Sequence, residues 1–152
     1  MKKVLFVCTG NTCRSVLAHY YAARLAADQK LPLEFSSAGL AADKDIPQPP
    51  VVAALLKKEG VRDFSHVPQQ LTAEKAAGAD LILAMTAAHK ARIAELCPSA
   101  AGRTFTLLEY AGLRSDDIAD PYGRDDLFYF EVFKAIKSAV TAALEKLKKE
   151  VE

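Results

Sequence analysis

Residues 4–15 read Val-Leu-Phe-Val-Cys-Thr-Gly-Asn-Thr-Cys-Arg-Ser, and this stretch limits what the chain can fold into more than any other. Its four apolar residues, mostly β-formers, predict a buried strand over residues 4–7. Gly10 and Asn11 tolerate the positive φ of a tight loop. Ser15 suits the cap of the helical pattern that follows, in which Leu17, Tyr20, Tyr21, Arg24 and Leu25 recur at helical spacing to about residue 28. Strand, loop and helix thus follow without a spacer, and Cys8 faces a helix N-terminus.

Such a loop can aim backbone NH groups inward as a nest for a tetrahedral anion, and the helix dipole adds to its positive potential. Arg14 offers a planar fork that grips two oxygens of that anion. The same field favours a thiolate at Cys8. A nucleophile and an anion cradle therefore coincide, which favours attack of Cys8 on phosphorus. The product is a cysteinyl-phosphate intermediate, with Arg14 and the loop amides stabilising the equatorial oxygens. The plainer reading is a structural Cys beside a turn, with Arg14 on the surface. The strand before, Gly-Asn within and the helix after weigh against it.

A length of 152 residues, 51% of them hydrophobic, suits a single domain over residues 1–152. The formal net charge of +1 gives no case for nucleic acid or membrane binding, so anion recognition must be local. Met1-Lys2-Lys3 runs into an apolar stretch too short for a signal-peptide core or a membrane span, and a cytoplasmic location is expected. Three cysteines in no zinc-like spacing fit a reducing compartment, and no metal or cofactor is expected.

Further along, residues 33–38 read as a second strand ending at Gly39, and residues 40–50 as a mobile rim free of aromatics. Residues 51–59 resume a helix stopped by Gly60. Residues 81–85 predict a third strand, residues 87–96 a helix ended by Pro98, and residues 104–108 a fourth strand. Residues 109–120 read as a polar loop or short helix. In the last segment Leu127, Phe130, Phe133, Ile136, Val140, Leu144 and Leu147 mark one apolar face of a long helix. The alternation predicts an α/β fold: one doubly wound, four-stranded parallel sheet with helices on both faces and an N-terminal phosphate-binding loop. Ligands of such sheets bind beyond the carboxyl ends of the strands, where Cys8 lies. Asp116, Asp117 and Asp120 precede a Pro-Tyr-Gly turn, and composition does not choose among them.

Cys8, Gly10, Asn11, Cys13, Arg14 and Ser15 match in order the Cys-x-Gly-Asn-x-Cys-Arg-Ser loop of the low-molecular-weight protein-tyrosine-phosphatases, which the chain resembles over nearly its whole length. The resemblance implies a phosphate-binding loop from Thr9 through Thr12 to Ser15. It selects Asp120, in Asp120-Pro121, as the acid that protonates the leaving atom and then takes a proton from water. It gives Ser15 the role of easing sulfur departure, and it makes His66 a support for Asn11. Phosphorylated proteins are the implied substrates, with inorganic phosphate as product and inhibitor.

The residue before the second loop Cys separates two subclasses of that family. Thr12 is similar to the protein-arginine-phosphatases, where tyrosine-specific members carry a branched apolar residue. A threonine hydroxyl can hydrogen-bond a guanidinium and is wasted against a phenyl ring. Met85-Thr86 followed by His89 points the same way, while Tyr122 resembles the tyrosine enzymes, so dephosphorylation of arginine is expected with tyrosine as the alternative. A related arsenate reductase needs two further cysteines, and only Cys97 lies outside the loop. A binding module without turnover is disfavoured by Cys8 and Asp120 together. Cys13 can capture an oxidised Cys8 as a disulfide, or simply pack as a small apolar residue. The family usually follows Ser15 with Pro and, further on, Glu, whereas this chain has Val16 and His19.

Overall fold

The apolar run over residues 4–7 lies within β1, Lys2–Cys8, and the rest of the sheet is laid against it. A computed structural model of the chain describes residues 1–114 and 117–151. On one side β1 pairs in parallel with β2, Leu33–Gly39, and on the other with β3, Leu81–Ala84. β4, Thr104–Thr106, lies beyond β3, giving the order β2-β1-β3-β4. The chain thus winds outward to β2, returns across β1 and continues to β3. β1 and β3 therefore flank the point where the winding reverses, and the loop after Cys8 starts there.

Both faces of β1 are covered, which is why its sequence is a continuous apolar run instead of an alternating one. Val4, Phe6 and Cys8 point into a core shared with α1 (Arg14–Asp28), α2 (Pro50–Lys58) and α6 (Asp126–Val151). Leu5 and Val7 point the other way, toward α3 (Ala73–Ala77), α4 (Ala87–Leu96) and a 3-10 helix over Pro98–Arg103. A short α5, Leu107–Tyr110, follows β4. Among the described residues, no helix is long and apolar enough to cross a membrane.

Several local expectations are corrected. Ser15 does not cap α1: the helix starts at Arg14, Cys13 precedes it with no side-chain cap bond, and the Ser15 hydroxyl is engaged elsewhere. Of Gly10 and Asn11, only Asn11 has a positive φ, 56°. The fourth strand stops at Thr106 because a capping box starts a helix there. Thr106 Oγ1 accepts from the Glu109 amide, and the Glu109 carboxylate accepts from the Thr106 amide. Leu127 and Phe130 are not on the buried face of the last helix, being 67% and 46% exposed. The inward stripe starts instead with Tyr129 and Val132 and then runs through Phe133, Ile136, Val140, Leu144 and Leu147, which are buried as predicted. Helix α3, which the sequence reading passed over, is nucleated by Thr72, whose side chain accepts from the Lys75 amide.

Candidate active site

Cys8 ends β1 with its sulfur buried beneath the loop, and two donors face it. The Asn11 amide lies 3.3 Å from Sγ and the Ser15 hydroxyl 2.9 Å from it. Asn11 Nδ2 donates to Ser15 Oγ at 2.8 Å, and toward a thiolate, which only accepts, the Ser15 hydroxyl proton turns to the sulfur. Asn11 is fully buried, and its φ of 56° lies in the left-handed region that Asn tolerates better than most residues. That conformation turns its amide back over the sulfur.

The loop is held by the carboxyl ends of both neighbouring strands. The carbonyls of Val7, Cys8 and Thr9 accept from the amides of Met85, Leu40 and Ala41, at 3.0, 3.0 and 2.8 Å. The approach of β2 requires Gly39, because a Cβ there would stand 2.5 Å from the Thr9 carbonyl oxygen and 2.9 Å from the Asn11 nitrogen. Asn11 Oδ1 accepts from the Gln69 amide at 2.9 Å and lies 3.0 Å from His66 Nε2. On the other side, Thr9 Oγ1 lies 2.8 Å from Nε2 of His89, in the first turn of α4.

Arg14 is buried, and its guanidinium joins the loop to the segment before α6. Nη1 donates to the Ile118 carbonyl at 2.9 Å, and Nη2 stands 3.6 Å from Asp120 Oδ2. The Asp120 side chain is 54% exposed, and Oδ1 accepts from the Tyr122 amide at 3.0 Å, an Asx turn across Pro121. Asp117 is engaged elsewhere, its carboxylate accepting from the Ala87 amide at the start of α4. Asp116 lies outside the described residues. A cavity of about 190 Å³ opens above Cys8, with Thr9, Gly10, Thr12, Cys13 and Arg14 around its base, Asp120 and Tyr122 on its wall, and Ala41 and Ile46 on its rim. The Thr12 carbonyl accepts from the Gln48 side chain, which ties the rim segment to the loop. This space suits a tetrahedral oxyanion above a thiol, with a carboxyl group at the mouth.

The three cysteines are free thiols. Cys13 lies in the same apolar layer as Cys8, 3.6 Å from the Tyr129 hydroxyl, and burial pushes its thiol pKa up, the condition of a packing residue. Cys97 is buried in the layer on the opposite face of the sheet, so it is not placed as a relay for the loop. His19 reaches Ser37 Oγ at 2.9 Å through Nδ1.

The sequence reading missed the Thr9 to His89 pair, the Gln69 contact to Asn11 and the Arg14 to Ile118 anchor. The first of these is implied by topology: a helix that follows β3 must start beside the end of β1, and a His in its first turn faces the loop. Burial lowers the pKa of His89 from the ordinary 6.5 to about 4, assisted by the Arg14 charge and opposed by Asp117 and Asp120. Burial, then the neighbouring His66, does the same for His19. Both are neutral at pH 7, so the unfolded chain binds these protons more readily than the folded one. The stability they support is complete above pH 6.5 and is lost as pH falls toward 4. Urea unfolding is expected to show a loss on the order of 2 kcal/mol for each of these two histidines across that window, where the buried His66 adds in the same direction, and His89→Gln should remove its own share of the dependence. An unchanged slope in that variant would refute the assignment.

Comparison with known proteins agrees with this geometry. Residues 3–152 match the family model described as low molecular weight phosphotyrosine protein phosphatase. A protein-arginine-phosphatase of Geobacillus stearothermophilus is 35% identical over 151 residues, covering 99% of this chain and 96% of that protein. The structure of a low molecular weight protein tyrosine phosphatase from T. tengcongensis superposes with a TM-score of 0.89 at 35% identity, covering 96% of this chain and 99% of that one. A mutant of the arginine phosphatase YwlE with a phosphorylated active-site serine superposes with a TM-score of 0.92 at 32% identity, covering 99% of both chains. The chain belongs to the low molecular weight phosphotyrosine protein phosphatase family and is a cysteine-dependent phosphatase of phosphorylated proteins.

Proposed function

We propose that the protein acts as a single domain that removes phosphate from phosphorylated arginine side chains, with Cys8 as nucleophile, Arg14 as oxyanion clamp and Asp120 as acid and base. Cys8 Sγ attacks phosphorus, the bond from phosphorus to the guanidinium nitrogen breaks, and the Asp120 carboxyl gives that nitrogen its proton. Water then attacks the cysteinyl phosphate and passes a proton to Asp120, while the Ser15 hydroxyl donates to the departing sulfur. Arg14 and the loop amides hold the equatorial oxygens through both steps. Inorganic phosphate leaves, and it fits the same loop as an inhibitor.

The observation that carries the choice of arginine is Thr12, nearly buried and lining the cavity beside Cys8. Its hydroxyl can accept from a guanidinium NH, and the half-exposed Asp120 carboxyl stands at the mouth, where it can meet the charged guanidinium. The named activity of the Geobacillus relative supports the same reading. The second reading is phosphotyrosine, favoured by Tyr122, whose ring lines the cavity and suits a phenyl group.

Peptides of matched sequence carrying phosphoarginine or phosphotyrosine separate the two, with Cys8→Ser as the blank. The parent is expected to prefer phosphoarginine in kcat/KM. Thr12→Ile is expected to shift the ratio about tenfold to a hundredfold toward phosphotyrosine, the effect of leaving a guanidinium NH unpaired. A parent that already prefers phosphotyrosine transfers specificity to Tyr122 and the rim.

A further inference from the structure

Behind the loop, on the side away from the cavity mouth, lies an aromatic cluster that the catalytic reading does not use. Tyr20, on α1, stacks on His19 at 4.2 Å between ring centroids and meets Phe64 edge-on at 4.9 Å. Phe64 in turn stacks on His66 at 6.4 Å. The Tyr20 hydroxyl lies 3.1 Å from His66 Nδ1 and 3.3 Å from the Ser65 carbonyl oxygen.

The proton on His66 can be placed from these contacts. His66 Nε2 faces two oxygens of Asn11, the backbone carbonyl at 3.1 Å and Oδ1 at 3.0 Å. The side-chain amide cannot be the other way round, because the second atom of that amide donates to Ser15 and Oδ1 accepts from the Gln69 amide. Both oxygens only accept, so Nε2 must carry a hydrogen. In the neutral ring Nδ1 is then an acceptor, and the donor in reach is the Tyr20 hydroxyl, whose single proton faces Nδ1 at 3.1 Å and, as the competing acceptor, the Ser65 carbonyl oxygen at 3.3 Å, the nitrogen being the nearer. Burial favours this pairing, since it keeps the imidazole neutral and the phenol protonated.

We propose that Tyr20 is a positioning residue whose hydroxyl, by donating to His66 Nδ1, holds the ring in the Nε2–H tautomer and so fixes Asn11, Ser15 and the Cys8 sulfur in line. Without that donor the neutral ring can move its hydrogen to Nδ1. Nε2 would then present a lone pair to two oxygens, and Asn11 Oδ1 would be held by the Gln69 amide alone. The effect reaches Cys8 through Asn11 N–H and through Ser15, the two donors on the sulfur. Only the kinetic arm of the test rests on the reading of Cys8 as nucleophile.

The test compares the full chain with Tyr20→Phe, which keeps the ring and removes the hydroxyl. Nitrogen-15 spectra of the histidine ring at pH 7.5 are expected to show His66 as the Nε2–H tautomer in the parent and as a mixture in the variant. With para-nitrophenyl phosphate as probe, kcat should fall about threefold to tenfold with KM little changed. In a His66→Ala background the same substitution should have no further effect on kcat, which also covers a Tyr20→Phe chain that folds poorly. A parent already in the Nδ1–H form, identical tautomers in both proteins, or an undiminished kcat despite a shifted tautomer each overturn the proposal. If the parent releases no phosphate from the probe, the catalytic reading of the loop fails, and the nitrogen spectra still decide what Tyr20 does to His66.

Discussion

Arg14→Lys is expected to lower kcat by about three orders of magnitude while the protein remains folded. The guanidinium has two duties at once: Nη1 is committed to the Ile118 carbonyl, and the other edge faces the cavity beside Asp120. A planar fork can serve an anchor and two phosphate oxygens together, because its donors diverge in fixed directions. A lysine ammonium keeps the charge but concentrates it at one point, so it can satisfy the carbonyl or the phosphate and not both. Removing one preorganised donor from a transition-state oxyanion costs about 100- to 1,000-fold, and here two contacts and the planar geometry go together. Phosphate release under saturating substrate measures the effect, with circular dichroism to show that the fold persists. A loss of less than tenfold would mean that the loop amides alone hold the equatorial oxygens.

The second large effect is expected at Asp120→Asn, about 100- to 1,000-fold in kcat on a phosphopeptide. The substitution is mild in structure, because asparagine Oδ1 can still accept from the Tyr122 amide and the turn across Pro121 is kept. What disappears is the transferable proton. An aryl phosphate with an acidic leaving group departs without protonation, so its first step should be far less affected than that of the phosphopeptide. The dependence of rate on leaving-group acidity, measured for parent and variant over a series of aryl phosphates, should become steeper in the variant. Equal dependence in the two proteins would assign the proton to another group. Asp117 is an unsuitable substitute, since its carboxylate is held at the first turn of α4.

How much of this was legible beforehand depended on whether a residue acts through its neighbours in sequence. The path from Val4 to Arg14 is local, and the strand, the loop and the helix after it could be read because composition and backbone preference agree at each position. The parallel, doubly wound sheet followed from the alternation of strands and helices, while the order β2-β1-β3-β4 came only with the structure. Ser15 was misread for a physical reason: serine before a helical pattern is ordinarily a cap, but here Asn11 and Cys8 compete for its hydroxyl and win. The exposed Leu127 and Phe130 show the limit of an apolar count on a helix, since neighbouring registers share several residues and packing against α1 and α2 decides which one faces inward. Asp120 could not be told from Asp116 or Asp117 by composition, because its partner Arg14 is more than a hundred residues away. The clamp of His66 on Asn11, and that of His89 on Thr9, join side chains from different layers. The first was reached beforehand only through the family resemblance, and the second becomes visible only once the strands are in order.

The anchor of Arg14 on Ile118 also bears on when the protein becomes active during its synthesis. A chain made as far as Tyr110 contains all four strands, the loop and Cys8, yet it lacks the carbonyl that receives Nη1, the Asp120 carboxyl and the whole of α6. In that chain the part of α1 that packs on α6 is uncovered, and Arg14 lacks the Ile118 carbonyl that receives its Nη1. With the roles proposed above, the thiol is translated first and its acid and the anchor of its clamp later, so a partly made chain carries Cys8 without Asp120 or the Ile118 carbonyl.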